Sequence, residues 1–147
     1  MAGGILEKAR VLMLCIFLFS IAGTGVELVL LEHMEDGWMW TPLVLMGLSL
    51  LVLTLYGFIK TPWVLQVFRG LMALFVISGI VGTWLHFQGN VEFELEMYPA
   101  MEGFELFGEA MKGATPALAP GAMIQLGLIG LVFTYKHPLL KKEKAYS

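Results

Sequence analysis

Residues 86–120 of the chain read HFQGNVEFELEMYPAMEGFELFGEAMKGATPALAP and interrupt an otherwise apolar sequence. The segment carries six of the twelve carboxylates, namely Glu92, Glu94, Glu96, Glu102, Glu105 and Glu109. Most connections between helices are about 4–6 residues long, and a much longer one is typically functional or locally folded. The chain therefore predicts a helical framework that holds an acidic segment at one of its ends.

The composition of the whole chain indicates what surrounds that framework. Of its 147 residues, 58% are hydrophobic and only 14% are charged. Soluble domains are typically about 45–50% apolar and about 25% charged. This composition excludes an ordinary soluble domain and predicts an all-α integral membrane protein with a single domain. Cys15 lies in a hydrophobic run and, as the only cysteine, cannot form an internal disulfide.

Four apolar stretches are long enough to span a bilayer, which requires about 20 mostly apolar residues in a helix. They cover residues 11–36, 42–59, 64–87 and 117–135. The second and third each begin at a Thr-Pro pair, Thr41-Pro42 and Thr61-Pro62, which is typical of a helix start. The sequence thus predicts a bundle of four transmembrane helices, an outer segment at 88–116 and a basic tail at 136–147.

The distribution of basic residues predicts the orientation of this bundle. Four spans place both termini, the 60–63 connection and the first turns of the third span on one side, and that side carries eight of the nine basic residues. They are Lys8, Arg10, Lys60, Arg69, Lys136, Lys141, Lys142 and Lys144. Because Lys and Arg in short loops remain in the cytoplasm, both termini are predicted to be cytoplasmic. The location predicted is a bacterial inner membrane, with residues 88–116 outside.

The outer segment divides into two parts by its periodicity. Apolar and acidic residues alternate over 91–97, which predicts an extended stretch with one apolar and one acidic face. From Glu102 to Lys112, Phe104, Phe107 and Met111 recur at helical spacing. This second part predicts a short amphipathic helix that lies on the membrane surface or caps the bundle. Since anionic lipids would repel its carboxylates, capping is the preferred prediction.

Small residues at helical spacing predict where the helices approach each other. Ser78 and Gly82 are four residues apart in the third span, and Gly127 and Gly130 are three apart in the fourth. Small side chains allow close contact between helix backbones, which stabilises bundles in lipid. These pairs predict helix packing and do not indicate a function.

Glu27 is the one carboxylate within an otherwise apolar stretch of the first span. An ionisable group at the bilayer centre costs at least about 2.5–3.5 kcal/mol, and less near the interface. Such a residue is a candidate proton or cation ligand. The alternative is a carboxylate near the interface that hydrogen-bonds a neighbouring helix, for example at Gln125 or at a tryptophan N–H.

The segment EHMED at 32–36 suggests a metal or haem site. Glu32, His33 and Asp36 end the first span, and His86 ends the third at the same predicted level. Imidazole and carboxylate ligands suit zinc, iron or manganese, and His33 with His86 could ligate a haem b axially. The spacing lacks a clear histidine–carboxylate pair one turn apart, so a solvated helix end without a cofactor is the simpler interpretation.

Function is predicted by weighing these features against each other. The chain has no nucleophile constellation, no phosphate-binding glycine loop and no basic patch for nucleic acid, so enzymatic activity is not expected. The leading hypothesis is a small subunit, accessory or scaffold of a membrane assembly, embedded in lipid and associated with other subunits or with copies of itself. Its partners would dock on the acidic outer segment. The alternatives are a redox protein using His33 and His86, and a transport component with Glu27 as the coupling carboxylate.

Overall fold

A computed structural model of the protein describes residues 2–32, 37–113 and 115–143, with side chains from residue 4 to residue 140 within those ranges. Every regular element in the described ranges is a helix. The α-helices are α1 (Ala2–Leu30), α2 (Trp40–Phe58), α3 (Pro62–Met97), α4 (Gly103–Lys112), α5 (Gly121–Thr134) and α6 (Pro138–Glu143). A 3-10 turn at Gly37–Met39 precedes α2.

Three of the described helical segments are long and apolar enough to cross a membrane: Gly4–Leu30, Gly37–Phe58 and Pro62–Met97. The fourth predicted span is shorter, because α5 contains only 14 residues. Residues 116–123 approach it through successive i→i+3 hydrogen bonds, such as Ala119 N–H to the Pro116 carbonyl at 3.1 Å. The helical class predicted from the composition is confirmed, and three candidate membrane-spanning helices suggest a multi-pass membrane protein.

Helix α3 is the centre of the molecule. It packs against α2, α4 and α5, while α1 lies mainly on α5. Phe17 of α1 reaches α3, where its ring contacts Phe68 edge-on at 5.6 Å between centroids and Phe75 at 6.4 Å. The buried apolar cluster contains Phe17, Ile21, Leu45, Met46, Leu65, Phe68, Met72, Phe75, Met123, Leu126 and Phe133.

Glycines allow α3 and α5 to approach closely. A β-carbon at Gly127 would lie 2.6 Å from the carbonyl oxygen of Met72, and one at Gly79 would lie 2.9 Å from that of Pro120. Gly82 lies against the Pro120 ring, and Gly130 against the Met72 side chain. The predicted close contact is therefore confirmed for Gly82, Gly127 and Gly130, whereas the Ser78 hydroxyl donates to the Phe75 carbonyl of its own helix.

Contacts at the two ends show that the long helices alternate in direction. At one end, Arg10 near the start of α1 donates to the carbonyl after α5, and Tyr56 near the end of α2 contacts His137. At the other end, His86 of α3 contacts the Pro116 carbonyl that precedes α5. The start of α1, the end of α2 and the end of α5 thus meet at one level of the bundle.

The prediction of an extended stretch at 91–97 is wrong. These residues continue α3, which is helical to Met97. Glu, Leu and Met favour helices, and Asn90 and Glu94, which are one turn apart, are both buried on one side of this helix. The predicted first span to residue 36 also differs, because α1 ends at Leu30 and residues 33–36 lie outside the described ranges.

Candidate functional site

The candidate site is the cap, which we define as the outer part of α3 from His86 to Met97 together with residues 98–102, α4, and residues 113, 115 and 116. Helix α4 crosses α3 near the level of Phe87, whose ring centroid lies 5.6 Å from that of Phe107. Ala110 is fully buried at this crossing. The acidic segment predicted from the sequence is therefore a folded unit held against a continuous helix.

Asn90 of α3 holds the end of α4 and Thr115 in place by hydrogen bonds. Its side chain is 2% exposed, and its amide Nδ2 donates to the carbonyls of Ala110 at 2.8 Å and Thr115 at 2.6 Å. Its Oδ1 accepts from the backbone N–H of Thr115 at 3.2 Å. Gly113 is required beside it, because a β-carbon there would lie 2.6 Å from Asn90 Cγ. One side chain thus satisfies backbone groups at the end of α4 and in the connection that follows.

The carboxylates of the outer α3 do not form a single acidic edge. Glu92 and Glu96 are four residues apart on the helix, and both are exposed. Glu94 lies on the opposite side, only 9% exposed, on the same face as Asn90. Because an α-helix has 3.6 residues per turn, Glu94 points away from Glu92 and Glu96. Glu92 and Glu96 are therefore the accessible carboxylates on this part of α3.

The carboxylates of α4 form a second group. Glu102 precedes the helix, and Glu105 lies in its first turn, where a negative charge interacts favourably with the helix dipole. Both are exposed. Glu109 accepts from the Lys112 Nζ at 2.9 Å in a largely exposed pair, which contributes little to stability. The cap therefore has more acidic than basic side chains on its accessible surface.

The predicted metal and haem ligands are only partly within the described chain. No three His, Cys, Asp or Glu side chains converge among the described residues. His33 and Asp36 lie outside those residues, while Glu32 is exposed with a left-handed φ of 50°. His86 Nδ1 lies 3.2 Å from the Pro116 carbonyl, an acceptor, so this nitrogen carries a proton and donates. The binding of a metal or haem by Glu32 and His86 therefore stays a prediction.

Glu27 is exposed on α1, one turn before that helix ends. The face of α1 that packs into the bundle contains Phe17 and Ile21, and Glu27 lies beside it. Glu27 makes no side-chain hydrogen bond with any described residue, including Gln125. Its coupling role stays a prediction.

A second polar cluster, which the sequence did not reveal, lies at the opposite end of the bundle. Arg10 Nη2 donates to the carbonyls of Lys136 at 3.0 Å and Tyr135 at 3.5 Å, just beyond the end of α5. A guanidinium suits this place, since the last carbonyls of a helix lack intrahelical donors. The buried Nε of Arg10 has no partner in the described chain.

His137 completes this inner cluster. Its Nδ1 accepts from the Leu139 N–H at 3.3 Å, so Nε2 carries the proton and donates to the Tyr56 hydroxyl at 3.3 Å. Burial lowers the pKa of His137 from its usual value, and the nearby Arg10 charge lowers it further. Charge and burial therefore both favour the neutral imidazole.

Two signals in the sequence pointed toward these clusters without identifying them. Asn90 is the only asparagine in the chain. Arg10 and the 136–147 tail, which includes His137, were predicted to lie at one end of the bundle, but hydropathy does not say which side chains touch there. Arg10 and His137 are 127 positions apart in the sequence, so only the packing of α1, α2 and α5 brings them together.

The fold and the cap together define a class, a helical protein with several candidate membrane spans and a folded polar unit at one end of its central helix. Beyond that class, no protein-family model, no curated protein and no solved structure matches the chain.

Proposed function

We propose that the chain is a non-enzymatic membrane protein that acts as a subunit or accessory of a larger membrane assembly, where its cap binds a basic segment of a partner. The observation that carries the proposal is the set of Asn90 hydrogen bonds, which hold the end of α4 and the backbone of Thr115 against α3. A unit held in this way presents its carboxylates in a constant arrangement, which lowers the entropy cost of binding.

The charge of the cap determines the chemistry of the partner. Glu92, Glu96, Glu102 and Glu105 are exposed, and Lys112 is paired with Glu109. Complementary charges accelerate encounter and suppress wrong partners. A partner with lysines or arginines on a loop or helix would therefore fit this surface.

In this proposal α5 is the fourth span, and both chain ends face the cytoplasm of a bacterial cell. The contacts of Arg10 and Tyr56 with the end of α5 support a common level for these ends, and eight of the nine basic residues support that side as the inner one. Single cysteines at Lys60 and Glu102, in a Cys15→Ser background, test the orientation. An impermeant maleimide applied to intact cells is expected to label Glu102→Cys and to spare Lys60→Cys.

Purification from the native membrane in mild detergent, with mass spectrometry of the bound chains, tests the docking. We expect a stoichiometric partner that the Glu92→Gln, Glu96→Gln, Glu102→Gln, Glu105→Gln variant loses at moderate salt. Glu7→Gln is the control, because Glu7 is exposed near the other end of the bundle. A partner retained by the fourfold variant would exclude the cap as its binding surface, and a pure chain without any partner would contradict the subunit proposal.

A further inference from the structure

Helix α4 has three flanks of different chemistry. At 100° per residue, the flanks are centred roughly 120° apart. One consists of Leu106 and the fully buried Ala110, which face α3. The other two carry the apolar side chains of Phe104, Phe107 and Met111, and the charged side chains of Glu105, Glu109 and Lys112.

The apolar flank is exposed to an unusual degree. Phe104 is 95% exposed and Phe107 is 54% exposed. Full burial of such a side chain is worth about 1.5–3 kcal/mol, so two phenylalanines left in water on a short helix are unfavourable. A cover for this flank is therefore expected.

The surface next to this flank indicates what covers it. Phe107 contacts Phe87, which in turn contacts Trp84 with 6.4 Å between ring centroids. Trp84 belongs to an exposed apolar stripe on α3 that also includes Ile77, Ile80, Val81 and Leu85. That stripe lies within the Pro62–Met97 segment, which is apolar enough to cross a membrane. The exposed flank of α4 thus continues the surface that faces lipid.

We infer that α4 is an interfacial anchor, whose Phe104 flank inserts at the boundary between headgroups and acyl chains while its charged flank faces water. Aromatic side chains favour this level of a bilayer, and a helix with one apolar and one charged face lies in the plane of the membrane. The occupant is the lipid surface, and the level is one helical turn beyond Trp84. The inference requires the bilayer location in the proposed function, but it does not require a docked partner.

Spin-label accessibility tests the inference on the full chain. In a Cys15→Ser background, Phe104→Cys, Glu105→Cys and Leu51→Cys are each labelled with a nitroxide. The proteins are reconstituted in vesicles of phosphatidylcholine with a minor share of phosphatidylglycerol. Glu105 is the matched control because it is adjacent to Phe104 but lies on the charged flank. Leu51 is 56% exposed within α2 and reports on the bilayer itself.

We expect the ratio of oxygen to nickel-chelate accessibility to be several-fold higher at Phe104→Cys than at Glu105→Cys, and highest at Leu51→Cys. If this ratio is equally low at Phe104→Cys and Glu105→Cys, as in water, but high at Leu51→Cys, as in lipid, the anchor is overturned. The bilayer location would then stand. A Phe104 label shielded from both reagents would show that protein covers the flank, which also overturns the inference. A water-like Leu51 would refute the bilayer location, and the anchor with it.

Discussion

The hydroxyl of Tyr56 lies 3.3 Å from Nε2 of His137, and their rings meet edge-on with 6.0 Å between centroids. Because the Leu139 N–H occupies Nδ1, the imidazole acts at once as acceptor and donor. This arrangement joins the end of α2 to the turn after α5 through a neutral side chain. A second proton on His137 would remove the acceptor for Leu139 and place a cation near Arg10.

The stability of the protein is therefore expected to depend on the protonation of His137. Its pKa is lowered in the folded state by burial and by the Arg10 charge, whereas an unfolded histidine titrates near about 6.5. The unfolded state binds more protons in the interval below that pH, so the free energy of unfolding decreases as pH falls through it. Thermal unfolding in detergent micelles at several pH values measures this dependence.

The His137→Gln variant identifies the group responsible. Glutamine retains a polar side chain but does not titrate, so the decrease below about pH 6.5 should be smaller than in the native protein. Tyr56→Phe is the control: it removes the hydroxyl but leaves the charge of Arg10 and most of the burial, so the direction of the pH dependence should persist. An identical pH profile for His137→Gln and the native chain would contradict the assignment.

Replacement of Arg10 by glutamine should have two effects. It removes the donors to the Tyr135 and Lys136 carbonyls, which we expect to cost about 1 kcal/mol, the scale of a charged group at a helix end. It also removes one of the two causes that lower the His137 pKa, so the acid-induced loss of stability should become smaller. Unfolding at neutral and mildly acidic pH measures both effects.

Lys8→Gln is the matched control for this pair of effects. Lys8 is an exposed cation one half-turn from Arg10 on the same helix, and it makes no hydrogen bond with the described residues. Equal effects of the two substitutions would mean that overall charge, rather than the contact with the end of α5, determines the stability of this region.

Gly127→Ala should separate α3 from α5. The added methyl group would lie 2.6 Å from the Met72 carbonyl oxygen and 2.7 Å from Val76 Cγ2, and overpacking of this kind costs about 1–3 kcal/mol. Gly47→Ala is the control, because nothing lies within 4 Å of its β-carbon position. There, alanine should be neutral or stabilise the helix by up to about 1 kcal/mol. A comparison of unfolding midpoints in the same detergent distinguishes the two variants, and a Gly127→Ala protein as stable as the native one would refute the close packing.

Asn90→Ala should loosen the attachment of α4 to α3. The substitution leaves the carbonyls of Ala110 and Thr115 and the N–H of Thr115 without their side-chain partner. A buried polar group left unsatisfied costs about 1–3 kcal/mol. Backbone amides of α4 should exchange with deuterium faster, while those of α3 at Phe68–Phe75 should change little. Hydrogen exchange followed by mass spectrometry measures both regions.

Gln88→Ala supplies the comparison for Asn90. Gln88 is a neighbouring amide on α3, half-exposed and without a hydrogen bond to any described residue. Its removal should leave the exchange of α4 unaltered. If both substitutions accelerate exchange equally, the cap is not held by the Asn90 amide.

Hydropathy predicted the helices well because burial in lipid requires long apolar runs, and α1, α2 and α3 each contain one. It failed over 91–97 for a physical reason. The two buried residues of this end of α3 are Asn90 and Glu94, which are polar, so the most buried face of the helix carried no hydrophobic signal. The visible pattern was the alternation of apolar residues with glutamates over 91–97, which has the period of a strand.

The clusters were beyond what sequence patterns can predict. The hydrogen bonds of Asn90 go to backbone groups 20 and 25 residues away, and such partners leave no signature in side-chain type. The approximate level of Arg10 and of His137 in the 136–147 tail followed from charge and hydropathy alone. Their contact depends on the rotation of each helix about its axis, which is determined by packing around Phe68 and Phe133.

The length of α3 has a mechanical consequence. Its 36 residues extend about 54 Å at 1.5 Å per residue, far more than the hydrocarbon thickness of about 30 Å. In the proposed membrane location, the part of α3 beyond Trp84 is a stiff arm continuous with the span, and Asn90 couples α4 to that arm. If α3 tilts by roughly 20°, a common value for spans and one that varies with bilayer thickness, the end of an arm of about 20 Å swings sideways by about 7 Å. The thickness of the surrounding lipid would thereby set where the carboxylates stand above the membrane.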